Sequence, residues 1–406
     1  MKDNCILFTS SYPFGTSESF IEGEIMYLAE AFKKVYVLPM KSGGRKRELP
    51  GNVSVVDLFS NYSYSRKRSL VFGGKVFLET FSGLISKALS GRLALNDFSS
   101  LLSLYIRLND KAALLADWLK STSNCVLYSY WFEEWATILA ILKSKKQINE
   151  FHARAHGFDL YEERSEYGFI PFRSLQLKEV STLSAVSQAG YNYLSGLYPQ
   201  YLQKLFLHRL GVQDNGISPF ILKKDFVLVS CSNVISLKRV DLIVRILYEI
   251  TQPLKWIHFG DGEQLNYIVK LAQDLPKNIS VEFRGRITNQ ELIQFYKNNQ
   301  VDIFITTTET EGGCPVSLQE AISFGIPVIG TNVGGVPEIV NNRTGILIDK
   351  DFDPKAVAIS IDSFLISSFN SFKFRLEVRK FWEQSFVAEE NYKSYINRVL
   401  LSKGIN

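Results

Sequence analysis

Cysteine is scarce in this sequence, and its four copies, Cys5, Cys125, Cys231 and Cys314, are far apart and include no CxxC pair. Neither a disulfide framework nor a zinc site is therefore indicated, and a reduced, cytosolic compartment fits best. The chain also has no run of about 18 apolar residues, so we expect no membrane-spanning helix. The apolar stretch at residues 5–8 is too short for the core of a signal peptide.

A strong excess of charge is absent as well. The formal net charge of +5 over 406 residues is mild and does not indicate a nucleic-acid partner. Hydrophobic residues make up 46% and charged residues 21% of the chain, which is the composition of a globular protein rather than a disordered one. The length suits two domains of about 150–200 residues each.

After residue 215, short apolar runs alternate with segments of helical periodicity. This pattern predicts strands at residues 226–231, 254–259, 279–283, 303–306 and 326–329. It predicts helices over residues 240–250, 289–298 and 315–324, and a further helix that ends at about residue 271. Such alternation is typical of a parallel sheet with helices on both faces, where ligands bind at the carboxyl ends of the strands.

The first half repeats this α/β pattern less regularly. It predicts strands at residues 6–9, 35–38, 126–130 and 183–186, a helix ending near residue 32, a mostly helical stretch over 69–120 and a final helical segment over 374–400. We therefore expect an N-terminal domain over residues 1–210 and a C-terminal domain over 211–380, with a cleft between them. Residues 381–406 are expected to form a helix that returns to the N-terminal domain.

The run Thr308-Glu-Thr-Glu-Gly-Gly-Cys-Pro-Val-Ser-Leu-Gln-Glu320 follows a predicted strand. Gly312 and Gly313 allow the backbone to approach a ligand closely, and Pro315 suits the first turn of a helix. The free amides of that turn favour an anion such as a diphosphate. Glu320 can accept hydrogen bonds from ribose hydroxyls, and Glu311 from a sugar. The alternative is an ordinary βαβ turn with two solvated glutamates.

A second loop has the same character. Thr331-Asn-Val-Gly-Gly-Val-Pro-Glu-Ile-Val340 places Gly334 and Gly335 after a strand and before a proline, which predicts another helix start. Lys238 ends the loop after the first strand of this half, at the same edge of the sheet, where it can neutralise phosphate. Its alternative is an ordinary surface lysine.

These motifs resemble the retaining glycosyltransferases of family four, which have the GT-B fold. The two-glutamate signature and the glycine loop carry the resemblance most strongly, over residues 226–349. In the first half, Arg154-Ala-His-Gly-Phe-Asp-Leu-Tyr-Glu-Glu-Arg164 and Tyr12-Pro-Phe-Gly-Thr-Ser-Glu-Ser-Phe20 resemble members that build bacterial exopolysaccharide or lipid-linked glycans. The resemblance implies two Rossmann-like domains. It also implies transfer of a sugar, with retention, from a nucleotide-sugar donor to a glycan or polyprenyl-diphosphate-linked acceptor.

The resemblance also implies roles for individual residues. His156, Lys238 and Glu311 are expected at the reacting centre. The expected donor-binding set is Asn233, Lys238, Arg239, Arg286, Glu311, Gly312, Gly313, Cys314, Pro315, Val316, Glu320, Gly334 and Gly335. The expected acceptor-binding set is Gly15, Thr16, Ser17, Glu18 and Asp159. No metal and no cofactor are expected.

Two departures from the family pattern stand out. Eight residues separate Glu311 from Glu320, where the family has seven, and Asn233 occupies a position where the family has an arginine. Arg239 or Arg286 can compensate for that arginine. Alternatives to a transferase are a sugar-nucleotide epimerase or phosphorylase of the same architecture, or a catalytically weak nucleotide-sugar-binding subunit.

A basic stretch is the remaining charge anomaly. It consists of basic residues that precede a partly amphipathic segment at residues 71–89, namely Lys41, Arg45, Lys46, Arg47, Arg66, Lys67 and Arg68. Such an arrangement can hold a protein peripherally at an anionic membrane surface. The alternative is a solvated loop followed by an ordinary core helix.

Overall fold

The computed structural model describes residues 3–15, 18–65, 81, 83–85, 88–89, 94–222 and 225–402. Two of the expected acceptor residues, Thr16 and Ser17, lie outside the described residues. So do Arg66, Lys67, Arg68 and most of the segment 71–89.

The chain divides into two units. Unit 1 comprises Met1–Val186, Gly190–His208 and Tyr392–Asn406, and unit 2 comprises Ser187–Ala189 and Arg209–Asn391. The division after residue 208 lies close to the boundary expected at 210. The return to unit 1 begins at Tyr392 rather than at 381, so residues 381–391 lie in unit 2.

Unit 1 is built on a sheet of seven parallel strands in the order β3-β2-β1-β4-β5-β6-β7. The strands are β1 Asn4–Thr9, β2 Lys34–Pro39, β3 Val53–Val55, β4 Cys125–Ser129, β5 His152–Ala155, β6 Thr182–Ala185 and β7 Leu205–Leu207. The central strands are buried along nearly their whole length, as expected for a parallel sheet covered by helices on both faces. The four strands expected in this half are confirmed, whereas β3, β5 and β7 were not anticipated.

The described helices of unit 1 include a 25-residue one, the longest in the described part of the chain. They are α1 Ile21–Ala31, α2 Leu95–Leu119, α3 Glu134–Ser144, α4 Arg173–Glu179 and α5 Gln188–Leu197. Along α2, Leu101, Tyr105, Leu108, Ala112 and Leu115 recur at spacings of three and four and are all buried, so one apolar stripe attaches the helix to the core. No helix within the described ranges is long and apolar enough to cross a membrane.

The C-terminal residues pack on a buried ion pair of unit 1. The guanidinium of Arg154 lies 2.7 Å from the Glu24 carboxylate, and both side chains are fully buried. The Tyr395 ring lies 3.9 Å from that guanidinium, and the Tyr392 ring 5.7 Å. Because a buried cation requires compensation, the two tyrosines and the carboxylate together stabilise Arg154 and anchor the end of the chain.

Unit 2 has a sheet of six parallel strands in the order β10-β9-β8-β11-β12-β13. The strands are β8 Phe226–Cys231, β9 Leu254–Phe259, β10 Ile279–Phe283, β11 Ile303–Thr306, β12 Val328–Thr331 and β13 Gly345–Ile348. The first four have the predicted bounds, and β12 begins two residues later than predicted. In order of sequence, the strands follow the 3-2-1-4-5-6 arrangement of a Rossmann sheet.

The helices of unit 2 also follow the predicted pattern in part. They are α6 Val240–Glu249, α7 Leu265–Leu271, α8 Asn289–Asn298, α9 Val316–Ser323, α10 Pro354–Ile366 and α11 Phe372–Ser385. A further helix, α12 Ala388–Tyr395, begins in unit 2 and ends in unit 1. The prediction of a helix at the second glycine loop is wrong, because Val336–Glu338 forms only a short 3₁₀ turn. The final segment is two α-helices, interrupted at residues 386–387 and followed by the π-helix Ile396–Leu400.

Candidate functional site

Three loops meet at the carboxyl edge of the unit 2 sheet. They follow β8, β11 and β12, and the strand order changes direction between β8 and β11. A ligand of a doubly wound sheet binds at this switch point. The backbone amide of Glu309 donates to the carbonyl of Leu237 at 2.8 Å, which joins the β8 and β11 loops directly.

Lys238 and Glu311 are brought into contact by these loops. Lys238 ends the 3₁₀ turn Ser236–Lys238, and its Nζ donates to the Glu311 carboxylate. Their side chains are 23% and 18% exposed, so the pair is screened from most of the solvent but remains reachable. The residue expected at the diphosphate and the residue expected at the donor sugar therefore form an ion pair with each other.

The loop after β11 leads into α9 through Pro315. The carbonyl of Pro315 accepts the first helical hydrogen bond, from the Gln319 amide at 3.1 Å, and no side chain caps the helix. Val316 is the first helical residue, and Cys314 is buried just before it. Anion binding by the amides of this first turn stays a prediction, and a helix start without a side-chain cap is the geometry that it requires.

The second glycine loop packs directly on the first. A β-carbon on Gly334 would lie 1.9 Å from the carbonyl oxygen of Glu311, and φ at Gly334 is +50°. A β-carbon on Gly335 would lie 2.5 Å from the carbonyl of Gly313. Both positions therefore require glycine for contact between the two loops, a reason that the sequence alone did not provide.

Glu320 lies on α9 with its carboxylate buried. Its Oε1 accepts a hydrogen bond of 2.5 Å from Nδ2 of Asn289, the first residue of α8. Burial raises the pKa of Glu320 from 4.5 to about 7, and the hydrogen bond from Asn289 opposes that rise. Asn289 was not anticipated, because nothing in its local sequence links it to a residue 31 positions away.

The two arginines expected to replace the missing family arginine differ in their surroundings. Arg239 donates from Nε to the Thr307 carbonyl at 2.8 Å and from Nη2 to the Lys350 carbonyl at 2.9 Å. Those donors hold the loop after β11 and are not directed to a ligand. Asn233 and Arg286 are exposed, in the loops after β8 and β10.

A partly exposed ion pair and a hydroxyl contact the two glycine loops. Arg209 donates twice to one carboxylate oxygen of Glu338, at 2.9 and 2.7 Å, and the Ala189 amide donates to the other oxygen. The hydroxyl of Ser187 donates to the Gly312 carbonyl at 3.2 Å. Sequence reasoning identified neither Ser187 nor Arg209, since both are distant in sequence from the loops that they hold.

His156 lies at the carboxyl edge of the unit 1 sheet, directly after β5. Its ring stacks on Tyr130 with a centroid distance of 4.8 Å and contacts Trp131 at 4.4 Å. The residue is 9% exposed, and neither ring nitrogen has a hydrogen-bond partner among the described residues. Its Nδ1 lies 3.7 Å from the Asp159 carboxylate, which is too far for a hydrogen bond.

Asp159 fixes the loop that carries His156. Its carboxylate is buried and accepts the backbone amides of His156, Gly157 and Phe132 at 2.8–2.9 Å. Three such bonds compensate a buried charge. Its expected contact with an acceptor remains a prediction, and the geometry adds a structural role.

Glu18 organises the loop after β1 in a similar way. Its carboxylate accepts the backbone amides of Ser10, Ser11 and Tyr12, and the indole Nε1 of Trp131 at 2.5 Å. Gly15, at φ +68°, lies in the same loop and accepts two hydrogen bonds from Arg47. Both expected acceptor residues therefore lie at the edge that carries His156.

Trp131, Glu133 and Phe158 share this edge and were not anticipated. Trp131 and Glu133 follow β4, and the Phe158 ring lies 4.8 Å from that of Trp131. Burial raises the pKa of Glu133 to about 7, and the neighbouring carboxylate of Asp159 adds to the rise. The described residues contain no group of three or more histidine, cysteine or carboxylate side chains that could hold a metal ion.

Comparison with known proteins agrees with this geometry. Residues 216–381, which contain β8 to β13, match the family model of glycosyl transferases group 1. A curated relative is the UDP-N-acetylglucosamine–peptide N-acetylglucosaminyltransferase GtfA subunit of Streptococcus agalactiae, which is 26% identical over 44% of this chain. The match spans only about a third of that relative, 36% of its length.

Solved structures resemble the chain over almost its whole length. The lipopolysaccharide outer core galactosyltransferase WaaB superposes with a TM-score of 0.67 at 14% identity, covering 97% of this chain and 99% of that one. Anabaena Alr3699/HepE, solved in complex with UDP, gives a TM-score of 0.66 at 13% identity and covers the same shares. The chain therefore has the expected GT-B fold of two Rossmann-like units, and the match to the glycosyl transferases group 1 model lies in its second unit.

Proposed function

We propose that this protein is a glycosyltransferase that transfers a sugar from a nucleoside-diphosphate donor to a glycan or lipid-linked glycan acceptor. The observation that carries the proposal is the meeting of Lys238, Glu311 and the uncapped start of α9 at the switch point of unit 2. A cation and a helix N-terminus together suit a diphosphate. Glu320 of α9, whose carboxylate accepts a hydrogen bond from Asn289 of α8, suits the hydroxyls of a ribose.

The donor is cleaved in this proposal as the acceptor hydroxyl attacks the anomeric carbon. The acceptor oxygen forms the new glycosidic bond, the bond from carbon to the diphosphate oxygen breaks, and the hydroxyl proton passes to that leaving oxygen. Lys238 and the α9 amides stabilise the charge that develops on the diphosphate, without a metal or cofactor. The acceptor attacks from the same face of the sugar from which the leaving group departs, so the anomeric configuration is retained.

The names of the similar proteins support this class of reaction. Several curated relatives are named as glycosyltransferases, among them N-acetylglucosaminyl and mannosyl transferases. Anabaena Alr3699/HepE is described in complexes with UDP and with UDP-glucose. We also propose that this chain acts in bacterial surface polysaccharide synthesis, at the cytoplasmic side of the membrane.

The test has three arms. Thermal unfolding with UDP, GDP and ADP identifies the nucleotide, because a ligand that binds only the native state raises its stability. Sugar nucleotides of that base are then incubated with the protein alone and with a panel of glycan and polyprenyl-diphosphate-linked sugar acceptors. Acceptor-dependent release of the nucleoside diphosphate, with a product of unchanged anomeric configuration by NMR, is the expected result.

The same arms separate the alternatives. An epimerase changes the sugar nucleotide without an acceptor, and a binding subunit shows a thermal shift without turnover. Inversion of the anomeric configuration would contradict the proposed stereochemistry but leave the transferase activity intact.

We also propose that unit 1 associates with an anionic membrane surface. Ile85, Leu89 and Leu95 are 46%, 85% and 79% exposed. The basic side chains of Lys41, Arg45 and Lys46 are exposed as well. Arg47 is not part of this basic group, because it donates to Gly15 and pairs with Glu22. Apolar insertion combined with basic charge is typical of proteins that lie on anionic bilayers.

A further inference from the structure

The carboxyl edge of the unit 1 sheet carries a group of aromatic rings that the donor chemistry does not require. We propose that Trp131 and Phe158 form a stacking platform for a pyranose ring of the acceptor, and that His156 binds a hydroxyl of that ring. This proposal rests on the proposed function, since it names the substrate class held at the acceptor side.

The platform is located where a ligand of this sheet is expected. The strand order of unit 1 changes direction between β1 and β4, and Trp131 and Glu133 follow β4. Glu18 follows β1 and holds the Trp131 indole from its Nε1 edge at 2.5 Å. Because that bond restricts rotation of the ring, the indole is oriented before a ligand arrives.

Phe158 projects from a turn whose backbone is held on both sides. The amides of His156 and Gly157, immediately before it, donate to the Asp159 carboxylate, and the Leu160 amide donates to the Gly157 carbonyl at 3.0 Å. Nevertheless, 56% of the Phe158 residue is exposed. A fixed turn that holds a phenyl ring in solvent, 4.8 Å from an ordered indole, provides an exposed apolar surface among the described residues.

A polar side chain beside the rings selects the kind of ligand. Neither ring nitrogen of His156 has a hydrogen-bond partner among the described residues, and its ring lies 4.4 Å from Trp131. Its Nδ1 faces the Asp159 carboxylate at 3.7 Å, which leaves Nε2 as the nitrogen for a ligand. A buried polar atom of this kind is costly unless a ligand or water satisfies it.

A sugar matches this combination better than a lipid chain does. One face of a pyranose presents C–H groups that contact an aromatic ring, while its edge carries hydroxyls that both donate and accept. A hydrocarbon chain would cover the rings but leave Nε2 of His156 unsatisfied. Mixed aromatic and polar lining is also usual for sites that orient small polar ligands.

Binding of methyl α- and β-pyranosides of glucose, galactose, mannose and N-acetylglucosamine tests the proposal without turnover. Saturation-transfer NMR on the intact chain reports which protons of the sugar contact the protein. We expect transfer to ring C–H protons of at least one glycoside, and about 3- to 10-fold weaker binding in Phe158→Ala, the range for loss of one aromatic contact. Phe158→Tyr should bind like the wild type, whereas Phe158→Leu should resemble Phe158→Ala.

Three outcomes would overturn the platform. They are equal binding by Phe158→Ala and the wild type, equal binding by Phe158→Leu and Phe158→Tyr, and binding of decyl phosphate micelles but of no glycoside. The melting temperature of each variant shows that it is folded, and Phe158 is exposed enough for its loss to be tolerated. If nucleotide shifts and acceptor-dependent turnover persist while no glycoside binds, the platform fails and the proposed function stands. If glycosides bind but no donor is turned over, the proposed function fails and the platform stands.

Discussion

The Nζ of Lys238 is paired with the carboxylate of Glu311 across the loops after β8 and β11. This pairing compensates the charge of the lysine within the protein. Under the proposed function, a donor diphosphate that binds Lys238 competes with Glu311 for it, and the displaced carboxylate can contact the donor sugar. The proposed donor site would thus couple binding of the diphosphate to the placement of Glu311.

The first prediction follows from this competition. Glu311→Gln should bind the free nucleoside diphosphate as well as the wild type or up to about tenfold more tightly, because the competing charge is removed. Its transfer rate should fall, since the donor sugar loses a charged partner. Lys238→Ala should lower both affinity and turnover, with turnover reduced about 10²-fold or more. Calorimetry and initial rates measure the two quantities separately.

Glu309→Gln is the matched control for that experiment. Glu309 lies two residues earlier in the same loop and pairs with Lys350 at 3.2 Å, with half of its side chain exposed. We expect no change in either quantity. If Glu309→Gln slows transfer and Glu311→Gln does not, then Glu309 is the residue that contacts the donor sugar.

The second prediction concerns contact between the two glycine loops. Gly334→Ala should lower nucleotide affinity and destabilise the fold by about 1–3 kcal/mol, because the new β-carbon collides with the Glu311 carbonyl at a left-handed φ. Chemical denaturation and calorimetry measure the two effects. Gly196→Ala in α5 is the control, since open space surrounds its β-carbon position and alanine favours a helix. Unchanged affinity in Gly334→Ala would mean that the loops move independently.

The sequence predicted unit 2 well because its strands are mostly apolar, and the polar residues Lys255 and His258 of β9 stand among large apolar neighbours. Phe226–Cys231 and Leu254–Phe259 are buried in the sheet and have the predicted bounds. Strand β5 was missed because His152–Ala155 contains a histidine and an arginine, residues that read as a loop. They are tolerated there because Arg154 pairs with Glu24, 130 residues away, and His152 contacts the Thr182 hydroxyl at 2.8 Å.

The site was predictable to a similar extent. Glu311, Pro315 and Glu320 belong to a continuous motif whose spacing is visible in the sequence. Asn289, Trp131 and Phe158 become informative only when the fold places them beside Glu320 or His156. The second glycine loop looked like a helix start because it has glycines before a proline, yet its glycines are required by backbone contact with the first loop.

The third prediction is that anionic vesicles bind this protein through unit 1. Replacing Lys41, Arg45 and Lys46 together by glutamine should weaken binding to vesicles containing phosphatidylglycerol, by about 1 kcal/mol for each charge near the surface. Leu89→Ser should weaken it further, while Ile359→Ser, an exposed apolar residue of α10 in unit 2, should not. Vesicle sedimentation at increasing salt measures the effect. Binding that is insensitive to salt, or equally sensitive to both serine variants, contradicts the proposal.

The last prediction is that nucleotide affinity increases as pH rises from 6 to 8. Burial raises the pKa of Glu320 to about 7, and only its ionised form accepts hydrogen bonds from both ribose hydroxyls. If the ligand binds the ionised form alone, affinity scales with the ionised fraction and rises about tenfold over this range. Removing the Asn289 amide in Asn289→Ala should move the midpoint to higher pH, because that hydrogen bond favours the carboxylate.

Stability of the free protein should change in the opposite direction. Between about pH 4.5 and 7 the folded state binds more protons at Glu320 than the unfolded state does, so the contribution of Glu320 to stability falls as pH rises through this window. In Glu320→Gln, the rise of nucleotide affinity with pH and the fall of stability with pH should both lose the part that Glu320 contributes. The terminal phosphate of the nucleotide titrates near pH 6 in wild type and variant alike, so the difference between their binding curves isolates the carboxyl. Identical pH dependence in wild type and Glu320→Gln would show that Glu320 does not hold the nucleotide through an ionised carboxylate.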